Sequence, residues 1–292
     1  MKFCLPILCA AALLGQGTKV TIGNLNKLPA SQPDKKIAYG PDPHQFGELR
    51  LPKGKGPHPV IVVIHGGCWG DFADATYMTN LSTRLADAGA ATWNIEYRLA
   101  HQPGGGWPGT IHDAGLAIDH LRKIARTNRL DLRRVVTTGH SAGGHLALWA
   151  AGRKHISKSS PLYTARPLPI AATVPIAGIV DLDAFATYGL DVCGKFQETT
   201  LGGVPKDVPD HYRAASPLYL LPTGVPQTLL FGDMDRNVPG RLFEAYVSQA
   251  KAKGDRIEVI NVPDAAHFEF LMPGTAAEKI LFDTLLRAVR LK

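Results

Sequence analysis

The sequence predicts a three-layer α/β domain, with a mostly parallel central sheet and helices on both of its faces. Two observations lead to this prediction. Continuous apolar runs rich in β-branched residues recur along the chain, as in strands that are covered on both faces. Segments with helical spacing of apolar residues separate these runs, so neighbouring strands are expected to be parallel and joined by right-handed crossovers.

The predicted elements begin at residue 46, where a weakly alternating segment runs to Leu51. The clearest strand is the run PVIVVI at 59–64, and Gly89 is suited to end the first helix because it can adopt a left-handed conformation. The predicted strands are 59–64, 90–95, 134–139, 170–177, 227–232 and 257–262, and the predicted helices are 74–88, 111–125, 141–151, 241–253 and 275–289.

The N-terminal segment is typical of an exported protein. An apolar run at 3–14 follows Met1 and Lys2, and small residues follow it, so residues 1–17 are predicted to be a signal peptide. The run is shorter than the roughly 20 apolar residues that span a bilayer, so stable membrane insertion is not expected. We expect a secreted or periplasmic protein; the alternative is a cytoplasmic one. Residues 18–45 are predicted to be an irregular lead-in to a domain at 46–292.

A long insertion interrupts the alternation of strands and helices at about 179–222. It is longer than an ordinary crossover connection. Ligands bind at the carboxyl edge of the sheet in such folds, and we expect the insertion to form a short lid over that edge. The alternative is a surface loop with a short helix.

Composition excludes several classes of protein. The chain has 292 residues, 45% of them hydrophobic, which excludes wholesale disorder. The net charge of +7 is spread over short basic pairs, so nucleic acid is not an expected partner. Phosphate-binding, dinucleotide and zinc-hydrolase motifs are absent from the sequence, so no cofactor or metal is expected.

Two cysteines, Cys68 and Cys193, remain after removal of the predicted signal peptide. They could form a disulfide in an oxidising compartment or stay as two separate thiols. Spacing along the chain does not decide between these outcomes, because pairing depends on the distance between the Cα atoms.

The strongest chemical motif is Gly-His-Ser-Ala-Gly at 139–143, which lies directly between a predicted strand and a predicted helix. This context is typical of a nucleophile elbow, where a strained turn presents a serine hydroxyl at a helix N-terminus. Ser141 is therefore the candidate nucleophile. The alternative is a tight turn with a structural serine.

A glycine-rich loop, His-Gly-Gly-Cys-Trp-Gly at 65–70, ends the first buried strand. Serine attack on an acyl carbon produces an oxyanion, which needs backbone N–H donors that already point at it. We expect the amides of Gly67 and Cys68 to supply them, together with that of Ala142 behind the nucleophile. His65 is expected to orient the loop rather than to act as the base.

The candidate general base is His267, in the loop after the last predicted strand. Only His211 and His267 lie more than fifteen residues beyond Ser141, and only His267 follows the candidate acids. A solvated loop histidine is the alternative.

The candidate acid is Asp235, just after the penultimate strand, where it could orient His267. Asp233 is expected to shape the turn instead. Asp181 and Asp183, which follow the preceding strand, are the second choice for the acid.

These motifs together resemble the α/β-hydrolase superfamily, in the branch of HGG-loop serine esterases that includes bacterial carboxylesterases, feruloyl-esterase-like enzymes and kynurenine formamidases. The resemblance extends from Tyr39 to the C-terminus. It implies an α/β-hydrolase fold and a triad of Ser141, Asp235 and His267. Cys68 departs from the pattern, because hormone-sensitive-lipase-like esterases usually carry a third glycine there. The matching segments are 65–67, 96–98, 108–113, 139–144, 235–239 and His267.

The function expected from these residues is hydrolysis of small carboxylic esters through a covalent acyl-enzyme. An arylformamidase-type amidase, a serine peptidase and an inactive binding module are the alternatives. Glu96 and Asp113 are expected to bond neighbouring loops, and the oligomeric state is left open. Five aromatic residues are candidates to line the substrate pocket, with ordinary packing as the alternative: Trp69, Trp107, Phe185, Tyr188 and Tyr212.

Overall fold

The structure is a computed structural model that describes residues 20–290; the predicted signal peptide at 1–17 lies outside them. The strands form one sheet in the order β1-β2-β4-β3-β5-β6-β7-β8. β2 pairs antiparallel with β1 and with β4, and the other pairs are parallel, which confirms the mostly parallel sheet. The strands are β1 Lys35–Ala38, β2 Phe46–Arg50, β3 His58–Ile64, β4 Ala91–Ile95, β5 Leu130–His140, β6 Ala172–Ile176, β7 Gln227–Gly232 and β8 Ile257–Val262.

Helices cover both faces of the sheet, as the burial of β3 shows. Val60 and Val62 pack into one hydrophobic core with α3 and α9, whereas Ile61 and Val63 pack into a second core with α2 and α10. Alternate side chains of a strand point to opposite faces, so the continuous apolar run does mark a strand buried on both sides. The helices are α1 Ile22–Leu25, α2 Thr79–Asp87, α3 Gly109–Asn128, α4 Ala142–Gly152, α5 Leu182–Tyr188, α6 Leu190–Cys193, α7 Phe196–Leu201, α8 Pro209–Ala215, α9 Glu244–Ala252 and α10 Ala276–Ala288.

The segment before β2 is more regular than the sequence suggests. Residues 18–45 were expected to be an irregular lead-in, but they contain α1 and β1, and β1 extends the sheet with Ala38 opposite Phe46. Leu25 of α1 is buried in the second core. The side chains of β1 are mostly exposed, so the strand carries no apolar alternation, and its place depends on backbone pairing at the sheet edge.

The insertion between β6 and β7 contains the four short helices α5 to α8. A disulfide joins Cys193 at the end of α6 to Cys68, with a Cα–Cα distance of 5.5 Å. The pairing that the sequence left open is therefore formed. Among residues 20–290, no helix combines the length and the apolar character needed to cross a bilayer.

Candidate active site

Ser141 lies at the tight turn between β5 and α4. Its backbone has φ 58° and ψ −119°, a conformation that L-residues rarely adopt. A Cβ on Gly139 would lie 2.2 Å from the carbonyl oxygen of Gly143, and one on Gly143 would lie 2.1 Å from that of Ile64. Both positions need glycine because the backbone approaches so closely here. The turn thus has the geometry of a nucleophile elbow.

Asp235 and His267 follow the carboxyl ends of β7 and β8, and a hydrogen bond joins them. His267 Nδ1 lies 2.8 Å from Asp235 Oδ2, and both residues are buried. The other carboxylate oxygen accepts hydrogen bonds from the amides of Asn237 and Val238 at 2.8 and 3.0 Å. Burial alone would raise the pKa of Asp235, but the hydrogen bonds from His267 and these amides outweigh that effect and lower it. The carboxylate stays ionised, and it leaves Nε2 of a neutral His267 free to accept a proton.

Ser141 and His267 line one cavity of about 190 Å³ at the carboxyl edge of the sheet. Asp235 lies behind His267 and does not line it. The structure therefore brings the nucleophile and the base predicted from the sequence to the same opening. The lining residues are Ile22, Gly67, Cys68, Phe72, His140, Ser141, Val192, Asn237, His267 and Phe268.

The glycine-rich loop after β3 forms another wall of this cavity. Gly67, Cys68 and Trp69 have φ values of 93°, 57° and 57°, so the chain turns back on itself there. Within residues 20–290, the amides of Gly67 and Cys68 donate to no protein acceptor. Ala142 begins α4 beside Ser141. The three residues that were expected to supply oxyanion donors therefore lie next to the candidate nucleophile, and two of them line the cavity.

Two side chains hold the loop in this shape. Cys68 is bonded to Cys193, and the Trp69 indole donates to His145 Nδ1 at 3.2 Å. His145 Nε2 in turn donates to the carbonyl oxygen of Ala215 in the insertion at 3.0 Å. The loop is thereby attached both to the helix that follows the nucleophile and to the insertion.

Comparison with known proteins identifies the family. The family model for BD-FAE matches residues 48–246, more than half of the chain. The chain belongs to the BD-FAE family. Solved structures support the fold: this BD-FAE chain superposes with a TM-score of 0.72 and 22% identity on a truncated carbohydrate esterase from gut microbiota, over 88% of this chain and 95% of that one. It also superposes on the thermophilic esterase Est2 of Thermogutta terrifontis with bound propionate, with a TM-score of 0.69 and 20% identity, over 87% and 92% of the two chains.

Sequence relatives of this BD-FAE member include two proteins of Mycobacterium tuberculosis (strain ATCC 25618 / H37Rv). It is 27% identical to Esterase LipC over 253 residues, which is 82% of this chain and 60% of LipC. It is 25% identical to Esterase LipQ over 211 residues, which is 72% of this chain and 50% of LipQ. The chain thus spans between half and three fifths of the length of these relatives.

His65 in this BD-FAE chain does not line the cavity that contains Ser141. It is fully buried, and its Nε2 lies 2.8 Å from Glu96 Oε1. Burial alone would lower the pKa of His65, but the charge and hydrogen bonds of Glu96 and the Gly66 carbonyl outweigh it and raise the pKa. Glu96 also accepts from the amide of Ala75, so this carboxylate joins three segments around the loop.

Asp113 has a comparable structural role in α3. The Arg98 guanidinium donates to both of its carboxylate oxygens at 2.7 Å, and Gln45 donates to it at 2.6 Å. As expected from the sequence, these buried carboxylates bond neighbouring loops.

The five aromatic residues predicted to line the substrate pocket do not line the cavity that contains Ser141. Trp69, Phe185 and Tyr212 are buried in the core, and Trp107 stacks on His211 at a separate cavity. Tyr188 donates its hydroxyl hydrogen bond to the Arg236 carbonyl. Proximity to the sheet edge in sequence does not tell which side of a helix faces this cavity.

The apolar walls come instead from residues that sequence reasoning missed: Ile22, Phe72, Val192 and Phe268. Phe268 follows His267 directly and could have been found from that adjacency. Ile22 lies in the polar lead-in, where no sequence signal points to the site.

The second choice for the acid has another role. Asp181 caps α5, because its Oδ1 accepts from the amides of Asp183 and Ala184 at 3.0 and 3.2 Å. Asp235, not Asp181, bonds His267. Among the residues described, no group of three or more His, Cys, Asp or Glu side chains could hold a metal ion.

Proposed function

We propose that this chain hydrolyses small carboxylic esters, with Ser141 as nucleophile, His267 as general base and Asp235 as the group that orients it. The observation that carries the proposal is that His267 is hydrogen-bonded to a buried Asp235 and shares a small cavity with Ser141. The names of LipC and LipQ, both esterases, support ester over amide substrates.

The proposed reaction has two halves. Ser141 Oγ attacks the acyl carbon while its proton moves to His267 Nε2. The tetrahedral oxyanion then collapses, the bond to the alcohol oxygen breaks, and the imidazolium returns the proton to the leaving alcohol. Water attacks the acyl-serine in the same way, which releases the carboxylic acid and restores Ser141. Asp235 stays ionised throughout and stabilises the imidazolium.

The oxyanion is assigned to the backbone amides of Gly67, Cys68 and Ala142. Two features support this assignment. The amides of Gly67 and Cys68 lie beside the cavity and donate to no acceptor in the described part of the chain, and α4 begins next to the serine. A helix N-terminus favours negative charge, and pre-aimed amides are worth about 10²- to 10³-fold in rate each.

We infer a preference for short acyl groups from the size of the cavity. The cavity of about 190 Å³ is bounded by the apolar side chains of Phe72, Val192 and Phe268. The proposed substrates are therefore esters of short carboxylic acids rather than of long fatty acids.

We also propose that the enzyme works in an oxidising compartment. The disulfide between Cys68 and Cys193 supports this, because such bonds are rare in reducing cytosol. Free-thiol labelling and N-terminal sequencing of the chain recovered from its native host test the proposal. Two labelled thiols, or retention of residues 1–17, would contradict it.

The central experiment combines a fluorophosphonate probe with a panel of p-nitrophenyl acetate, p-nitrophenyl octanoate, methyl ferulate and N-formylkynurenine. We expect labelling on Ser141 and turnover of the acetate. Ser141→Ala should abolish labelling and lower kcat by about 10⁶-fold. Ser157→Ala, at an exposed serine, is the matched control and should keep both.

Two results would overturn the proposal. One is labelling at a residue other than Ser141. The other is turnover of the formamide alone, which would assign the site to an arylformamidase instead.

A further inference from the structure

A chain of three hydrogen bonds connects the glycine-rich loop to the His267 loop through two buried side chains. The Gly66 amide nitrogen lies 2.5 Å from the Tyr77 hydroxyl, and this hydroxyl lies 3.1 Å from His140 Nδ1. His140 Nε2 lies 2.9 Å from the carbonyl oxygen of His267. Tyr77 and His140 are both almost completely buried.

The two ends of this chain determine its direction. The Gly66 amide can only donate, so the Tyr77 oxygen accepts from it. The His267 carbonyl can only accept, so His140 Nε2 must carry a proton. Burial, together with the nearby His267, lowers the pKa of His140 to about 3, so the ring is neutral and carries one proton. With that proton on Nε2, Nδ1 accepts the hydrogen bond from the Tyr77 hydroxyl.

We propose that Tyr77 and His140 are positioning residues that hold the glycine-rich loop, Ser141 and His267 in one arrangement. The inference rests on the proposed ester hydrolysis. His140 directly precedes Ser141, and its ring lies 4.4 Å from that of His267 between centroids. One side chain thus touches the nucleophile turn and the base loop, and Tyr77 connects it to the loop proposed to hold the oxyanion.

The contacts around Gly66 show why small displacements matter here. A Cβ at this position would lie 3.0 Å from Ser141 Cβ and 3.0 Å from the Tyr77 hydroxyl. The loop, the nucleophile and Tyr77 are therefore already in close contact. A displacement of about 1 Å in a reacting group can cost about 100-fold in rate, so an interaction that fixes the positions of these groups affects kcat.

Tyr77→Phe tests this chain of hydrogen bonds, because it removes the hydroxyl and keeps the ring. It leaves the Gly66 amide and His140 Nδ1 without partners, and we expect kcat to fall about 10- to 100-fold while KM changes less than about threefold. Tyr246→Phe is the matched control, because Tyr246 is also fully buried and donates to Gln227 Oε1 at 2.6 Å, away from the cavity. It should lower the melting temperature to a similar degree and keep kcat within about twofold.

Two variants of His140 test the end of the hydrogen-bond chain at the His267 carbonyl. Gln can still donate to the His267 carbonyl, whereas Leu can make no hydrogen bond. We expect His140→Gln to keep more activity than His140→Leu. The double variant Tyr77→Phe/His140→Leu should lose about as much activity as His140→Leu alone, because both side chains belong to the same chain of hydrogen bonds. If His140→Leu does not fold, the comparison of Tyr77→Phe with Tyr246→Phe still tests the positioning role.

The outcomes separate this inference from the proposed function. If Tyr77→Phe and Tyr246→Phe lose stability alike and both keep wild-type kcat, the positioning role is wrong, while an inactive Ser141→Ala still supports ester hydrolysis. If Ser141→Ala keeps its activity, the proposed function itself fails, and the positioning role fails with it.

Discussion

Cys68 of the glycine-rich loop is bonded to Cys193 at the end of α6, 125 residues further along the chain. Cys68 lines the cavity that contains Ser141, and so does Val192, the neighbour of Cys193. The disulfide therefore connects the proposed oxyanion loop to the part of the insertion that limits the cavity. A cross-link that closes so long a loop also restricts the unfolded chain.

Cys193→Ser is expected to destabilise the fold and to relax substrate selectivity. The free energy of unfolding should fall by about 2 to 4 kcal/mol, because the unfolded chain regains the entropy of the open loop. Release of α6 should raise relative turnover of p-nitrophenyl octanoate over acetate. Urea unfolding and steady-state kinetics measure the two effects. Reductant should reproduce them in the wild type and change nothing in the variant; an unchanged unfolding midpoint after reduction would contradict the expectation.

Val192→Ala should enlarge the acyl pocket without affecting the reaction itself. Removing two methyl groups from the wall gives room for longer acyl chains, so kcat/KM for p-nitrophenyl octanoate should rise about tenfold relative to acetate. Val259→Ala, at an exposed valine of β8, is the matched control and should leave the ratio unchanged. An identical chain-length profile for both variants would show that Val192 does not limit the pocket.

Asp235→Asn should lower kcat by about 10⁴-fold, because an amide does not hold His267 in the reactive tautomer. The lowered pKa of Asp235 means that its carboxylate is already ionised in mildly acidic solution, so the acidic limb of the pH–rate profile belongs to another group. Asp181→Asn is the control, since Asp181 caps α5. A larger loss of activity in Asp181→Asn than in Asp235→Asn would reverse the assignment of the acid.

Acid should destabilise the protein through two buried neutral histidines. Burial lowers the pKa of His145 to about 4, and burial with the nearby His267 lowers that of His140 to about 3. Both values lie below the unfolded value near 6.5, so below that pH the unfolded state binds more protons and stability falls. Each histidine contributes a slope of about 1.4 kcal/mol per pH unit.

Urea unfolding of His145→Gln between pH 7 and pH 5 measures this contribution. In the variant, the dependence of unfolding free energy on pH should be smaller by the slope of one proton, whereas Ser157→Ala, at an exposed serine, should match the wild type. Equal slopes in all three proteins would show that His145 takes up no proton on unfolding.

Most of the sheet and the main chemical residues were predictable from local pattern. β7 and β8 have the predicted bounds, and the other buried strands differ by a few residues at their ends. A strand covered on both faces is mostly apolar, so it is visible in sequence without knowledge of its neighbours. The nucleophile elbow was visible for a similar reason, because its glycines and serine are adjacent in the chain.

Features that depend on contacts between distant segments were not predictable. β1 is a polar edge strand that is held by its backbone pairing with β2. The lining of the cavity with Ser141 was not predictable for the same reason: Phe185 and Tyr212 pack inward, while Ile22 and Val192 reach the cavity. An aromatic side chain gains as much from burial in a core as from lining a pocket, so its type does not reveal its direction.

Pattern along the chain thus established a mostly parallel α/β sheet, a serine at its elbow, and a candidate acid and base after the last two strands. Folding in three dimensions decided that Cys68 meets Cys193, that His267 meets Asp235, and that Tyr77 and His140 lie between the two functional loops. The physical reason is the distance along the sequence over which each kind of interaction acts. Strand and turn preferences act over a few neighbouring residues, whereas the contacts of Asp235 with His267, Tyr77 with His140 and Cys68 with Cys193 join residues 32, 63 and 125 positions apart, and the packing of the sheet brings them together.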